Sequence, residues 1–217
     1  MKYSDIYKRV LSSFILLPVS LIIIINGNLL FKITLLILLF LSYFEWKKIT
    51  KNNFQFVCGL FFLTLSFFTI YRTRTINSDE NLIFFLIVFF ICIATDLGGY
   101  TFGKVFKGPK LTKISPNKTI VGVFGGYFFS IFFIFFFILY LEFFNFYSDQ
   151  KFNLRFFIFI FITSTISQIG DLVISYFKRL SNVKDTGSII PGHGGLLDRI
   201  DGMIFAFPFS YFYYYYL

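Results

Sequence analysis

The sequence predicts an all-α polytopic membrane protein, a bundle of about seven transmembrane helices. Of its 217 residues, 57% are hydrophobic and only 14% are charged, which is far from the composition of a soluble domain. Apolar runs recur to the last residue, whereas a signal peptide would be one short run followed by ordinary sequence. Because lipid cannot hydrogen-bond a bare backbone, each run is expected to cross the membrane as a helix.

The elements follow in order as apolar runs that are long enough, or nearly so, for a hydrocarbon core needing about 20 residues per helix. They are Val10–Ile25, Leu29–Phe44, Phe54–Tyr71, Leu82–Thr95, Ile120–Leu141, Leu154–Ile174 and Met203–Leu217. The first pair flanks Asn26-Gly27-Asn28, which fits either a tight helical hairpin or one interrupted element. Cys58 and Cys92 lie inside apolar runs and are expected to be packing residues.

The basic residues are distributed unequally when alternate loops are assigned to alternate sides of the membrane. One side receives Lys2, Lys8, Arg9, Lys47, Lys48, Lys51, Lys104, Lys107, Lys110, Lys113, Lys118, Lys178, Arg179, Lys184 and Arg199, and the other receives Lys32, Arg72, Arg74, Lys151 and Arg155. Positive residues mark the cytoplasmic side, so we expect a cytoplasmic N-terminus and an external C-terminus. The two longest polar loops, Asp96–Thr119 and Ser175–Gly202, are then both cytoplasmic. The net charge of +9 is therefore interpreted as a topology signal rather than a nucleic-acid surface.

A polar stripe runs along the sixth apolar run. Its members recur at three- and four-residue steps, which places them on one helix face, and they are Ser164, Ser167, Gln168, Asp171, Ser175 and Lys178. Such a stripe is expected to face the bundle interior. A carboxylate within a span is costly and is usually paired or functional, so Asp171 is either one half of an interior salt bridge or part of a site.

The segment Ser175–Asp201, which follows the stripe, is rich in charges and glycine. Its cations are Lys178, Arg179, Lys184 and Arg199, its carboxylates are Asp185, Asp198 and Asp201, and its glycines are Gly187, Gly192, Gly194 and Gly195. Carboxylates hold hard divalent cations, basic side chains neutralise phosphate oxygens, and glycines let backbone amides approach them closely. The set indicates phosphate chemistry.

Two alternatives stay open for the end of this segment. If a helix starts after the Pro191–Gly195 break, Asp198 and Asp201 could converge toward Asp171. Asp198 could instead favour a helix N-terminus, and Asp201 could cap or pair with Arg199. The only histidine, His193, excludes a His-rich zinc site, and it is either a phosphate donor or proton handler or a loop residue satisfied by backbone.

The earlier polar segment, Asp96–Gly122, carries residues of the same kinds. Asp96 closes the fourth run, the glycines Gly98, Gly99 and Gly103 permit close packing or backbone approach, and the lysines Lys104, Lys113 and Lys118 can reach anionic groups. Alternatively, such lysines do no more than set the membrane topology or bind lipid headgroups. The turn from Ser115 through Asn117 to Thr119 either starts the fifth helix or presents donors to phosphates.

These residues resemble the signature of a known family, the phosphatidate cytidylyltransferases or CDP-diacylglycerol synthases. The matching positions are Ser175, Lys178, Arg179, Lys184, Asp185, Gly187, Pro191, His193, Gly194, Gly195, Asp198, Arg199 and Asp201. Gly170-Asp171 and the Phe-Gly-Lys and Ser-Pro-x-Lys-Thr elements of Asp96–Thr119 are also similar to the family. Ile120 and Val121 depart from it, because members often carry Trp and then Glu or Gln there.

The resemblance covers about the last 125 residues and implies one continuous membrane domain with two parts. Residues 96–217 would be the catalytic region with two cytoplasmic motif loops, and residues 1–95 would supply scaffold and lipid access. The implied location is a bacterial-type cell membrane.

The reaction implied by the resemblance depends on Mg²⁺, alone or with a second cation, and turns CTP and phosphatidate into CDP-diacylglycerol and pyrophosphate. The implied catalytic residues are Asp171, Lys178, Arg179, Lys184, Asp185, His193, Asp198, Arg199 and Asp201. The implied substrate-binding residues are Asp96, Lys104, Lys113, Ser115, Asn117, Lys118, Thr119 and Ser175. Asp171 and Asp198 are the first choice as metal ligands, with Asp185 and Asp201 next. The expected partners are CTP, phosphatidate and membrane lipid, without nucleic acid, and a homodimer is left open.

Two other classes explain the sequence less well. Membrane phosphotransferases that use CDP-linked lipids carry an Asp-Gly-x-x-Ala-Arg pattern, whereas Asp201-Gly202 here continues with Met203-Ile204. A transporter is expected to carry polar stripes on several helices, preferably in two related halves. This chain has one strong stripe and no internal repeat.

Overall fold

The computed structural model describes residues 16–75, 78–143, 153–189 and 194–216, and its regular structure is helical. The helices are α1 (Leu16–Asn26), α2 (Asn28–Ile49), α3 (Asn53–Thr75), α4 (Ser78–Phe106), α5 (Ile120–Phe143), α6 (Leu154–Leu180), α7 (Leu197–Ile200) and α8 (Met203–Tyr216). Within the described ranges the only β-type pairing is an isolated bridge between Lys110 and Thr119. The all-α prediction is confirmed.

Five helices, α2 to α6, are long and apolar enough to cross a membrane. Large apolar side chains on their outer faces are exposed, including Phe61 at 72% and Phe124 at 66%, as expected where lipid replaces water. Helix α8 has 14 residues and the described part of α1 is shorter still, so the count of seven spans stays a prediction. The architecture is that of a multi-pass membrane protein.

Helix α4 is the centre of the bundle. Ile87, Val88, Ile91 and Cys92 on this helix are at most 1% exposed, and they belong to a core cluster that also includes residues of α3, α5, α6 and α8. The packing role predicted for Cys92 agrees with this burial, whereas Cys58 is exposed on α3. Both cysteines are free thiols.

Helix α4 also continues further than the sequence predicts. We expected a polar loop from Asp96, but the helix runs on to Phe106, and only residues 107–119 form the connection to α5. The reason is a seam of small residues: a Cβ on Gly98 would lie 2.2 Å from the carbonyl oxygen of Gly125, and one on Gly122 would lie 2.7 Å from that of Gly99. The two helix backbones touch, and this contact supports the extra turns of α4.

A single residue, Gly27, separates α1 from α2. Its φ of 60° lies in the left-handed region that favours glycine. Arg74, at the end of α3, donates from Nε to the carbonyl of Ile24 at 2.7 Å and from Nη2 to that of Ile25 at 3.0 Å. The last carbonyls of α1 are therefore satisfied by a cation, which is the charge that a helix C-terminus favours.

Candidate active site

The two polar segments singled out in the sequence meet at one end of the bundle, together with the end of α2. Arg179, in the last turn of α6, donates from Nε to the carbonyl of Ile114 in the α4–α5 connection at 3.3 Å. Ser181, just after α6, donates from its hydroxyl to the carbonyl of Ile49 at the end of α2, at 2.6 Å. The C-terminal ends of α2 and α6 and the segment before α5 therefore share one end of the bundle.

The polar stripe of α6 faces the interior, as predicted. Ser164 and Ser167 are fully buried, Ser175 is 6% exposed and Lys178 is 9% exposed. The hydroxyl of Ser164 is 2.8 Å from that of Thr95 on α4, so the stripe is hydrogen-bonded across the helix interface.

Asp171 is the member of the stripe at which both polar segments converge. Lys118, one residue from the cap of α5, places its ammonium 2.5 Å from Oδ2 of Asp171. Ser175, one turn further along α6, donates its hydroxyl to Oδ1 at 3.2 Å. The side chains of Asp171 and Lys118 are 24% and 26% exposed, so the pair lies in an opening rather than in a sealed core. The pairing predicted for Asp171 is therefore observed, and its role in a site stays a prediction.

Asp201 approaches Asp171 from the segment between α7 and α8. The two carboxyl groups interact by a side-chain hydrogen bond, and Asp201 also accepts from the backbone N–H of Gly202 at 2.9 Å. Burial raises the pKa of the Asp201 carboxyl well above its usual value, and the negative charges of Asp171 and Asp96 raise it further. Asp201 therefore converges on Asp171, which is the first of the two alternatives.

Asp198 is surrounded by donors. Its Oδ1 pairs with the ammonium of Lys178 at 2.7 Å, and both side chains are largely buried. Its Oδ2 accepts from the backbone N–H of Thr186 at 2.8 Å and from that of Gly195 at 3.0 Å, and the hydroxyl oxygen of Thr186 lies 3.1 Å away. Asp198 therefore ties the glycine-rich segment to α6, and each of its oxygens is engaged by a protein donor.

One residue of the site was missed by sequence reasoning, namely Glu45 near the end of α2. It is fully buried and accepts hydrogen bonds from the backbone N–H groups of Leu196 and Leu197 and from the hydroxyl of Thr186. The only signal for it in the sequence is a carboxylate beside the basic pair Lys47-Lys48 at the end of a span. A contact with residues some 150 positions later in the chain cannot be read from that pattern.

The other predicted catalytic side chains line the outside of the same region. Arg179, Lys184, Asp185 and Arg199 are exposed, and Asp185 packs against Gly194. Arg179 also donates from Nη1 to the carbonyl of Val183 at 3.3 Å. His193, together with Pro191 and Gly192, lies outside the described residues, so its role stays a prediction.

The predicted substrate-binding residues of the α4–α5 region lie on both sides of a turn. The backbone N–H of Lys118 binds the carbonyl of Ser115, and Thr119 accepts the N–H of Gly122 at 3.0 Å, so this turn starts α5. Asn117 is exposed at its tip. An open hollow of about 480 Å³ beside it is lined by Lys110, Leu111, Thr112, Lys113 and Pro116.

Two members of this set lie on the last turns of α4. Lys104 is exposed and donates to the hydroxyl of Tyr100 at 3.2 Å. Asp96 is also exposed, and it interacts electrostatically with Asp171, Lys118 and Arg199. Asp96 is therefore a third carboxylate of the region around Asp171.

The carboxylates were tested for their fit to the expected divalent cation. In the described part of the chain, no three His, Cys, Asp or Glu side chains are arranged to hold a metal ion by themselves. Mg²⁺, however, is often held by one or two carboxylates, with waters and substrate phosphates completing its shell. The contacting pair Asp171 and Asp201 supplies two such hard oxygen donors, of which Asp171 is partly exposed and Asp201 is buried beside it. The residues present therefore fit Mg²⁺ chemically, with Asp198 already occupied by other partners.

The chain is similar to proteins of one named family. The model of the cytidylyltransferase family matches residues 71–217. A phosphatidate cytidylyltransferase of Staphylococcus aureus is 37% identical over 174 residues, which are 76% of this chain and 62% of that protein. Proteins of the same name from Staphylococcus saprophyticus and Staphylococcus epidermidis are 35% and 37% identical over the same shares of each chain. The chain thus spans less than two thirds of the length of these relatives.

Proposed function

The chain belongs to the cytidylyltransferase family, and on that premise we propose that it is a phosphatidate cytidylyltransferase. It would join CTP to phosphatidate at the membrane surface and release CDP-diacylglycerol and pyrophosphate, a step of phospholipid biosynthesis. The relatives are named for this activity, and the two substrates of this chain are inferred from that name.

The observation that supports the proposal most is the cluster of alternating charges at one end of the bundle. Lys118 pairs with Asp171, Lys178 pairs with Asp198, and Asp201 contacts Asp171 between them. A reaction between a nucleoside triphosphate and a lipid phosphate brings several negative charges together. It needs cations to neutralise them and carboxylates to hold a metal ion.

The roles of the residues follow from how firmly each one is held. The pair of Lys118 and Asp171 is about a quarter exposed, so an entering phosphate can take over the ammonium and release the carboxylate. The pair of Lys178 and Asp198 is largely buried and would keep its geometry during the reaction. Arg199 and Lys184 are exposed and would hold outer phosphate oxygens.

The chemical step would be an in-line displacement. An oxygen of the phosphatidate phosphate attacks the α-phosphorus of CTP, a new P–O bond forms, and the bond to the β-phosphate oxygen breaks so that pyrophosphate leaves with its electron pair. Lys118 and Arg199 would stabilise the charge that builds up on the phosphoryl oxygens. Asp171 and Asp201 would hold Mg²⁺, which supplies further neutralisation of the triphosphate when it is bound.

The orientation of the protein is part of the proposal. The end of the bundle that carries the site also carries Lys47, Lys48 and the lysines of the α4–α5 connection, whereas Arg72 and Arg74 are at the opposite end of α3. The excess of positive charge marks the cytoplasmic side, where CTP is available. The sequence prediction of a cytoplasmic site is therefore retained as a proposal.

The experiment is a turnover assay on the purified full chain in detergent with CTP, Mg²⁺ and phosphatidate. We expect CDP-diacylglycerol and pyrophosphate in equal amounts, and no pyrophosphate when phosphatidate is omitted. Asp171→Asn serves as the control that keeps the fold and loses turnover. Absence of product above a no-enzyme control, with folded protein and with phosphatidates of several chain lengths, would refute the proposal.

A further inference from the structure

We propose that Glu45 is a positioning residue of the active site, which holds Thr186 and residues 194–201 in their working geometry from helix α2. The inference rests on the proposed function, because it assigns a role in that reaction. Glu45 lies outside the residues 71–217 that the family model matches. It acts on the groups assigned above to substrate or metal through the backbone of α7 and the hydroxyl of Thr186.

The carboxylate of Glu45 is surrounded by three hydrogen-bond donors. Its Oε1 accepts from the backbone N–H of Leu196 at 2.9 Å, and its Oε2 accepts from that of Leu197 at 2.7 Å and from the hydroxyl of Thr186 at 2.8 Å. All three partners are donors, which suits an ionised carboxylate because it can only accept. The two N–H groups begin the short helix α7, where they have no partner within the helix.

A chain of polar contacts links Glu45 to the charged residues of the site. The hydroxyl of Thr186 lies within hydrogen-bonding distance of both Glu45 and Asp198, at 2.8 Å and 3.1 Å. Asp198 in turn binds the ammonium of Lys178 on α6. The two backbone groups held by Glu45 directly precede Asp198 in the chain, and Asp201 follows three residues later. Displacement of the Glu45 carboxylate therefore moves both carboxylates of α7 and its C-terminal end.

The packing of α2 keeps Glu45 in place. Ser42, Glu45, Trp46 and Ile49 are its buried residues in this region, at helical spacing, so they form one buried face, which packs against α3 as well as α6. The ring of Trp46 packs against that of Phe177 on α6, with centroids 4.8 Å apart. A carboxylate on such a packed face cannot follow its partners if they move, so it determines where they lie.

Two glycines of the signature segment lie directly against the carboxylate of Glu45. A Cβ on Gly187 would lie 2.5 Å from Oε1 of Glu45, and one on Gly195 would lie 2.6 Å from Oε2. Both distances are shorter than non-bonded contact allows, so any side chain at these positions would displace the carboxylate. The sequence analysis expects such glycines to let phosphate oxygens approach the backbone. Gly187 and Gly195 instead leave room for the carboxylate of Glu45.

The experiment compares Glu45→Gln with Glu142→Gln, the same chemical change at an exposed position of α5. Glutamine keeps the shape of the side chain but turns one acceptor into a donor, which then faces an N–H group. We expect kcat per folded enzyme to fall by about 10- to 100-fold in Glu45→Gln, as for the loss of one hydrogen bond to a charged group. The KM for CTP changes far less, and Glu142→Gln behaves as the unmodified protein.

Two further measurements separate positioning from mere stabilisation. A carboxylate that only stabilised the fold would lower the amount of folded enzyme and leave the kcat of that fraction unchanged. In the double variant with Thr186→Val, we expect the losses in kcat to be less than multiplicative, because both residues act on Asp198. Hydrogen exchange in a peptide covering residues 194–201 should be faster in Glu45→Gln, since the amides of Leu196 and Leu197 lose their acceptor.

The inference is overturned if Glu45→Gln keeps its kcat within about twofold, which is below the loss expected for one charge-assisted hydrogen bond. It is also overturned if the two substitutions are fully multiplicative, or if hydrogen exchange at 194–201 is unchanged. If the unmodified protein makes no CDP-diacylglycerol, the proposed function fails instead. The exchange measurement needs no turnover, so it still decides whether Glu45 holds the segment.

Discussion

The two ion pairs of the site predict different losses of thermal stability for the same substitution, Asp to Asn. Asp171→Asn and Asp198→Asn each remove one negative charge from a Lys–Asp pair. The pair of Asp171 is about a quarter exposed, whereas the side chains of Lys178 and Asp198 are only 11% and 7% exposed. Asparagine at position 198 must turn its NH₂ group either toward the ammonium of Lys178 or toward the donors of Thr186 and Gly195. In both orientations a buried donor faces another donor.

The expected magnitudes follow from these environments. Removing one partner of a buried pair costs about 3–5 kcal/mol, whereas an exposed pair contributes about 0–1 kcal/mol. At about 2–4 °C per kcal/mol for a chain of this size, Asp198→Asn should lower Tm by about 6–20 °C. Asp171→Asn should shift Tm by a few degrees at most. Both variants should lose turnover, Asp171→Asn because the proposed metal ligand is gone and Asp198→Asn because the segment is displaced.

The assay is thermal unfolding in detergent followed by intrinsic fluorescence, alongside CDP-diacylglycerol formation at a temperature where both variants are folded. Asp185→Asn, at an exposed neighbouring carboxylate, is the control for the loss of one negative charge and should leave Tm unchanged. Equal Tm values for Asp198→Asn and the unmodified protein would refute the reasoning about the buried pair. A fully active Asp171→Asn would remove Asp171 from the proposed metal site.

Two more predictions follow from the structure. Gly195→Ala should lower kcat and Tm together, because its Cβ would lie 2.0 Å from the Thr186 hydroxyl. Gly99→Ala, whose Cβ meets its nearest neighbour at 3.6 Å, should change neither, and equal behaviour of the two variants in the turnover and unfolding assays would contradict this. For the orientation, in a background with Cys58 and Cys92 replaced by serine, Thr75→Cys should react with a membrane-impermeant maleimide in intact cells. Lys48→Cys should react only after lysis, and the reverse pattern would place the site on the outer face.

The fold and the site were predictable to the extent that they depend on local pattern. Helical spans follow from apolar runs, and the inward face of α6 follows from the three- and four-residue spacing around Asp171, because both are set by residues close together in the chain. The prediction failed at the end of α4, where hydropathy drops at Asp96. Backbone hydrogen bonding continues regardless of hydropathy, and the contact of Gly98 with Gly125 on another helix supports it.

The partners of individual charges could not be predicted, because they depend on long-range packing. The sequence ranks Asp198 above Asp201 as a metal ligand, although the two stand only three residues apart. In the structure one binds Lys178 and the other contacts Asp171, a difference that depends on how α7 is seated against α6. Glu45 is the extreme case, since nothing near it in the chain indicates that it belongs to the site.

The position of Glu45 also sets an order of events during synthesis. Its hydrogen-bond partners lie 141, 151 and 152 residues later in the chain. At about 5–20 residues per second, α2 is made roughly 7–30 s before the residues that satisfy its carboxylate. Throughout that interval Glu45 needs water or a transient partner, because an unpaired carboxylate is costly in hydrocarbon. Completion of the site is thus one of the last steps in assembly, and the end of α2 that carries Glu45 must stay near the membrane surface until α6 and α7 are made.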